Sequence, residues 1–425
     1  MLSLEEQLKI IKRGTVEIIP EEELVRKLEK SIKENKPLRI KQGYDPTAPD
    51  IHLGHTVCLR KLRQFQEIGH QVVLIIGDYT GMVGDPSGRS ETRPQLSYEE
   101  IKKNAKTYQE QFFKVVDKTK TEVHFNGEWF SKMSFQEIMH LASKFTLARI
   151  LERDDFSKRY REQIPISIHE LFYPLMQAYD SVMINADVEI GATEQKFNLL
   201  AARQIQEIYG QEPQVILTMP VLPGTDGVQR MAKSVGNYIG VAEPPKEIFG
   251  KIMSIPDNLI YTYFELLTDI SENDLLKIKK DLEDKVVNPM IWKKRLAHEI
   301  VKMYVEPDEE KSGIAMDITV VKKKREEEAD KALEEFEKVF SKKELPEEIP
   351  VKYFEHDEPE IWIGHLLVKA GCVQYTSEIR RLIKQGGLYI DNKRIDDEDL
   401  KIPVEGEKLV KLGKRRFYKI IRKVL

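Results

Sequence analysis

Apolar positions change their spacing several times along the chain, and each spacing predicts a different element. From residue 4 to about residue 35, Leu, Ile and Val recur among Glu and Lys at helical intervals broken near Gly14 and Pro20, which predicts flanking helices. Leu38-Arg39-Ile40 predicts a short strand, and Val57, Leu62, Phe65 and Ile68 predict a helix closed by Gly69. Val72-Val73-Leu74-Ile75-Ile76 is apolar at every position, as a strand buried on both faces of a parallel sheet must be. Helical spacing follows over residues 96–116 and 135–161, with a turn at Asn126-Gly127-Glu128-Trp129 between them. Residues 186–190 and 214–219 predict two more strands, around a helix that stops at Gly210. Strands alternating with helices from about residue 38 to 221 describe an α/β domain whose parallel sheet is covered on both sides.

Beyond Pro244-Pro245 the spacing from residue 248 to about 340 is helical, with charge runs such as Lys322-Lys323-Lys324-Arg325-Glu326-Glu327-Glu328 that read as solvated faces. Residues 346–359 are acidic and proline-punctuated, which predicts a linker. After residue 361 come two short helices and a hairpin turning at Asp391-Asn392. The expected domains are therefore residues 1–36 (N-terminal helices), 37–240 (α/β), 241–345 (helical), 346–360 (linker) and 361–425 (a small α+β module).

Composition narrows the class. A charged content of 32% with no long apolar run predicts a protein that does not enter a membrane, and the acidic start Met1-Leu2-Ser3-Leu4-Glu5-Glu6 is unlike a signal peptide, so the cytoplasm is expected. Cys58 and Cys372 are far apart and fall on predicted helices, which leaves no disulfide framework or zinc site and predicts buried fillers. A formal net charge of −4 argues against a chain coated with basic residues. The C-terminus is the exception: Lys408, Lys411, Lys414, Arg415, Arg416, Lys419, Arg422 and Lys423 stand there with no acid among them, the pattern of a module that meets nucleic acid.

Four stretches carry candidate chemistry. Gly43-Tyr44-Asp45-Pro46-Thr47-Ala48-Pro49-Asp50-Ile51-His52-Leu53-Gly54-His55 joins the first strand to a helix start, where unpaired N–H groups favour anions; two histidines share the first turn, and Gly54 leaves no side chain to hold a flat ring away. The Gly-, Asp- and Thr-rich loop of residues 77–89 lies at the carboxyl end of its strand, where open α/β sheets bind ligands. Tyr173, Gln177 and Asp180 are spaced by four and three in an apolar helix, so their polar groups share one face and need partners, either a bound ligand or an internal network. Gly224-Thr225-Asp226-Gly227-Val228-Gln229-Arg230-Met231-Ala232-Lys233-Ser234-Val235-Gly236-Asn237 is a loop with glycines at both ends, able to bring positive charge over phosphates. In the last module Arg380, Arg381 and Lys384 line one helix beside the basic tail, a track suited to an RNA backbone.

These residues together resemble the bacterial tyrosyl-tRNA synthetases, from near the start of the chain to its end. His52-Leu53-Gly54-His55 resembles the HIGH signature of class I synthetases, and Arg230-Met231-Ala232-Lys233-Ser234 resembles their KMSKS loop. Asp45-Pro46-Thr47-Ala48, Gly84-Asp85-Pro86-Ser87-Gly88 and Gln177-Ala178-Tyr179-Asp180 are similar to motifs of the tyrosine enzymes. The resemblance implies a Rossmann-like catalytic domain, a helical anticodon-binding domain, and an S4-like RNA-binding domain after residue 361. It implies activation of L-tyrosine by ATP with Mg2+, transfer to tRNA(Tyr), no tightly bound protein metal, and a homodimer with residues 135–161 at its interface, with neither membrane nor DNA as partner.

Carried over by position, His52, His55 and Lys233 should meet the ATP phosphates, with Gly54, Arg230 and Ser234 beside them, and Asp45 and Thr47 near the reacting groups. Asp85, Tyr173 and Gln177 should hold the substrate ammonium, Asp180 the phenol, with Thr80 and Asn126 lining the same pocket. Gly191 and Gln195 should meet ribose and carboxylate. Arg380, Arg381, Lys384, Lys414, Arg415 and Arg416 should contact tRNA. Six positions depart from the common pattern: Lys41 and Gln42 stand where many members have Tyr and Cys, Ala192 and Glu194 where Gly and Asp are usual, and Arg230 and Ala232 vary the loop signature while Lys233-Ser234 is intact. A tryptophanyl enzyme, a non-catalytic RNA-binding relative and a small-molecule adenylyltransferase remain rival readings of the sequence.

Overall fold

A computed structural model of the chain describes residues 2–46, 51–85, 97–285, 287–306, 317–340, 349–356, 358–391, 393–413 and 416–423. Thr47, Pro86, Ser87, Gly88, Lys414 and Arg415, singled out above, lie outside the described residues. The chain divides into two compact units, Met1–Ala329 and Asp330–Leu425.

The first unit is built on a six-stranded sheet of β1 (Glu17–Ile19), β2 (Arg39–Tyr44), β3 (Gln71–Ile76), β4 (Thr121–Phe125), β5 (Val188–Ala192) and β6 (Val215–Met219), in the order β1-β6-β5-β2-β3-β4. Five strands are parallel, and β1 pairs antiparallel with β6. Two elements differ from the expectation. Residues 1–36 are not helical throughout, because Glu17-Ile18-Ile19 forms β1; and the turn expected near Asn126 is preceded by β4. Both are edge strands, short and only partly buried, so neither shows the apolar run that marked β3.

Helices α1 (Leu4–Lys12), α2 (Glu21–Glu34), α3 (Leu53–Glu67), α4 (Tyr98–Phe112), α5 (Tyr173–Met183) and α6 (Lys196–Ile208) surround the sheet. Ser3 caps α1 and Ser97 caps α4, each through a reciprocal bond with the glutamate three residues on. On α3, Val57, Leu59, Leu62 and Phe65 are buried, the stripe that the helical spacing required. The stretch of residues 135–161, expected to be helical, forms three short helices, Phe135–Ala142, Leu147–Ile150 and Asp154–Arg161; the Ser134 and Thr146 hydroxyls accept from Glu137 N and Arg149 N and start the first two. Further helices follow at Pro245–Met253, Ile260–Leu267, Glu272–Glu283 and Pro289–Tyr304, and Ile318–Phe340 runs across the boundary between the units.

The second unit holds β7 (Val351–Phe354), β8 (Glu360–Trp362), helices Ile363–Lys369 and Thr376–Lys384, β9 (Leu388–Ile390), β10 (Lys393–Arg394), β11 (Lys401–Pro403), β12 (Lys408–Leu412) and β13 (Arg416–Arg422). One sheet has the order β10-β9-β12-β13-β7 and a second pairs β11 with β8. Asp391, with φ of 48°, turns the β9–β10 hairpin as expected. Part of the stretch expected to be a linker is instead β7, paired parallel with β13; its buried Phe354 belongs to the core of this unit.

Candidate active site

Strand order reverses between β2 and β5: the chain goes from β2 outward to β3 and β4, then returns to β5 and β6 on the other side. Loops leaving such neighbours diverge and open a crevice at the strand ends. A cavity of about 250 Å³ sits there, lined among others by Asp45, Gly54, His55, Thr80, Asp85, Tyr173, Gln177, Asp180, Gly191 and Gln195. Residues singled out from sequence thus meet in one place, although they come from segments more than 100 residues apart.

At one end Asp180 is buried on α5 and accepts from Trp129 Nε1 at 2.9 Å and from Asn126 Nδ2 at 3.3 Å. Burial raises its carboxyl to about 7, against the charge of Lys41 and the two hydrogen bonds, which favour ionisation. Asn126 also donates to Thr80 Oγ1 at 3.0 Å, so both residues expected in the pocket are joined to Asp180 in one chain of bonds. Trp129 was missed by the sequence reading: a tryptophan after a turn gives no periodic signal, and only the short helix Gly127–Phe130 aims its indole at Asp180.

Toward the sheet edge, Asp45 follows β2 and accepts from Tyr173 Oη at 2.8 Å and Thr80 Oγ1 at 2.7 Å. Gly77 makes this possible, because a Cβ there would overlap Asp45 Oδ1 and Thr80 Oγ1. Asp85 accepts from Gln195 Nε2 at 2.7 Å, and Gln195 in turn accepts from Asn198. Gln177, which lines the cavity, turns its amide nitrogen to Glu189 Oε1 at 3.2 Å, which leaves its amide oxygen as the available acceptor.

His52 and His55 stack with ring centroids 3.9 Å apart. Gly54 allows it: a Cβ there would meet the His52 ring at 3.0 Å and lie 3.5 Å from Met231 Cβ. His55 Nδ1 accepts from His52 N at 3.2 Å, so the neutral ring carries its proton on Nε2. Burial lowers His52 to about 2, with His55, Lys233 and Arg230 adding to the effect; burial and then Lys233 lower His55 to about 4. Both rings are therefore neutral hydrogen-bonding groups near pH 7.

The loop of residues 224–237 is tied to the histidine motif: Leu53 N donates to Ile239 O and Val241 N to Ile51 O. Within it Asn237 accepts from Ala232 N and donates to Asp226 Oδ2, each at 2.9 Å. Arg230, expected at the phosphates, is paired instead with Glu194 at 3.1 Å, one of the positions that departs from the common pattern. Lys233 begins a short turn of helix with its Nζ 5.8 Å from the Tyr238 ring centroid, and Ser234 beside it is exposed.

In the second unit Arg380, Arg381 and Lys384 are exposed on helix Thr376–Lys384. Arg380 lies over the Trp362 ring and Lys384 is 3.4 Å from Glu398. Arg416 is paired with Glu378 at 2.6 Å.

Residues 33–318 match the family of tRNA synthetases class I (W and Y). The chain is 53% identical over 422 residues to the tyrosine–tRNA ligase of Carboxydothermus hydrogenoformans, covering 98% of each, and 51% identical over 414 residues to that of Moorella thermoacetica, covering 97% of this chain and 95% of the relative. A C-terminally truncated mitochondrial tyrosyl-tRNA synthetase from Aspergillus nidulans shares the fold over 80% of this chain and 95% of its own, with a TM-score of 0.61 at 21% identity. The cavity at the strand reversal, the stacked histidines and these near full-length matches lead to one conclusion: the chain belongs to the tyrosine–tRNA ligases, within the class I tRNA synthetases.

Proposed function

We propose that this protein joins L-tyrosine to tRNA(Tyr) in two steps. The tyrosine carboxylate oxygen attacks the α-phosphorus of ATP, forming tyrosyl-adenylate as the bond to pyrophosphate breaks. A hydroxyl of the terminal adenosine of tRNA then attacks the tyrosyl carbonyl and AMP leaves. The observation that carries this reading is a cavity with the buried carboxylate of Asp180 at one end and acceptors for an ammonium, Asp85, Tyr173 and Gln177, along its length.

Each group has a role that follows from its chemistry. The ionised Asp180 accepts the phenol proton; phenylalanine would leave that charge buried without its donor, and this enzyme class is the standard case of that argument. Asp85, Tyr173 Oη and the Gln177 amide oxygen accept from the ammonium. Gly191 and Gln195 stand where ribose and carboxylate meet, and Asp45 holds Tyr173 in place. His52 and His55 donate as neutral rings to the charge that develops on phosphate, and Lys233 adds a full positive charge. Asp45 and Asp85 are already engaged by hydroxyl and amide donors, so magnesium enters with ATP, on phosphate oxygens and water.

The second unit is read as an S4-like module that follows the tRNA backbone with Arg380, Arg381 and Lys384. Phe135, Met139 and Leu147 are exposed on the helices of residues 135–150, an apolar surface suited to a second copy of this chain. Among the described residues no helix is long and apolar enough to cross a membrane, and the cytoplasm is the proposed location. Exchange of labelled pyrophosphate into ATP tests the central reading: tyrosine should support exchange, and phenylalanine and tryptophan should not. Equal exchange with phenylalanine would overturn the role given to Asp180.

A further inference from the structure

At the amino-acid end of the cavity, which Glu189 helps to line, lies an ion pair to which none of the roles above assigns a part in holding substrate. Lys41 on β2 and Glu189 on β5 are register partners across the strand reversal, and their side chains are 0% and 1% exposed. Lys41 Nζ donates to Glu189 Oε1 at 2.9 Å, to Gln177 O at 2.8 Å and to Ser181 Oγ at 2.7 Å, which satisfies all three of its hydrogens. Glu189 accepts from Gln177 Nε2 at 3.2 Å, from Ser181 Oγ at 3.2 Å and from Gln214 Nε2. Two charges removed from water contribute little net stability compared with an apolar pair of the same volume, so their presence calls for another explanation.

Geometry supplies one. A free glutamine amide can present either its oxygen or its nitrogen to a ligand, and a substrate ammonium needs the oxygen. Glu189 can only accept, so it binds the nitrogen end of Gln177 and turns the oxygen outward. Lys41 binds the main-chain carbonyl of the same residue and holds Glu189 as an acceptor. We propose that Glu189, held by Lys41, is a positioning residue that selects the orientation of the Gln177 amide and so sets the affinity for the α-amino group of the substrate. Lys41 stands at the strand position where the family resemblance puts a tyrosine in many members, so at that point this chain has a charged group bound to the Gln177 carbonyl.

The inference rests on the assignment of Gln177 to the ammonium, and the test separates the two. In pyrophosphate exchange with the full chain, Glu189→Gln is expected to raise KM for tyrosine roughly tenfold, the size of one missing charge-assisted hydrogen bond, with kcat and KM for ATP nearly unchanged. Inhibition by 3-(4-hydroxyphenyl)propionate, which has the phenol but no amino group, should be the same in Glu189→Gln and in the native chain. The double variant K41M/E189M keeps the volume and removes both charges, which act on Asp180 in opposite directions; assayed well above pH 7, where Asp180 is ionised, it should melt near the native temperature and show the same selective rise in KM. An equal weakening of tyrosine and of the desamino analogue would overturn the proposal, because general distortion of the pocket affects both. An unchanged KM in both variants, with Gln177→Ala raising it, would overturn the role of the pair alone. An unchanged KM in Gln177→Ala as well would overturn the pocket assignment with it.

Discussion

Asp180 is the residue at which recognition and acid–base chemistry meet. A carboxyl of this kind titrates near 4 in an unfolded chain, while burial brings it to about 7 here. Between those values the folded protein holds a proton that the unfolded chain has released, so this residue's contribution to stability falls as pH rises through the window. Recognition changes in the opposite sense: the ionised form accepts the stronger hydrogen bond from the phenol, and phenylalanine would leave that buried charge with only Trp129 and Asn126 as donors. Selectivity for tyrosine over phenylalanine should therefore increase from pH 6 to pH 8 in pyrophosphate exchange, and Asp180→Asn should flatten that dependence. Tyr173, Gln177 and Asp180 were legible in the sequence because polar groups at helical spacing in an apolar segment need partners. Glu189 is the single charge in β5, whereas Lys41 lies between Arg39 and Gln42 in β2 and does not stand out; their pairing depends on which strands are neighbours, and no local pattern carries that.

Elements are locked to one another by single buried groups. Lys61 lies on α3 with its side chain buried, and its Nζ donates to Ile10 O, Ile11 O and Arg13 O, the open carbonyl end of α1. One side chain thus caps one helix from another. Lys61→Met should leave those carbonyls without their donor and lower stability by about 2–3 kcal/mol, measured by urea denaturation, with KM for tyrosine unchanged. The central strands and long helices were legible because each buries a continuous face. β1 and β4 were not: an edge strand is half solvated, its pattern is weak, and it becomes a strand only when a partner is present to accept its hydrogen bonds. Within residues 135–161 the start of the second helix was written in Thr146, whose capping hydroxyl competes with helix continuation, whereas the third helix starts without a side-chain cap.

At the scale of the whole molecule, two surfaces lead to measurable behaviour. Phe135→Glu places a charge on the proposed surface between copies and should shift light scattering from dimer to monomer. Replacing Arg380, Arg381 and Lys384 by alanine should raise KM for tRNA and reduce the salt dependence of binding by about 0.7 for each phosphate that is no longer neutralised, with tyrosine-dependent exchange unaffected. By itself the sequence determined the central strands and long helices, the α/β class, the basic terminal module and half of the residues that line the cavity, because spacing and chemistry are local properties of a chain. Tertiary structure decided the strand order, the antiparallel edge, the pairing of Arg230 with Glu194, the indole on Asp180 and the ion pair below Gln177. Each of these joins residues distant in sequence, and their distances are set by how the whole sheet and its helices close around one core.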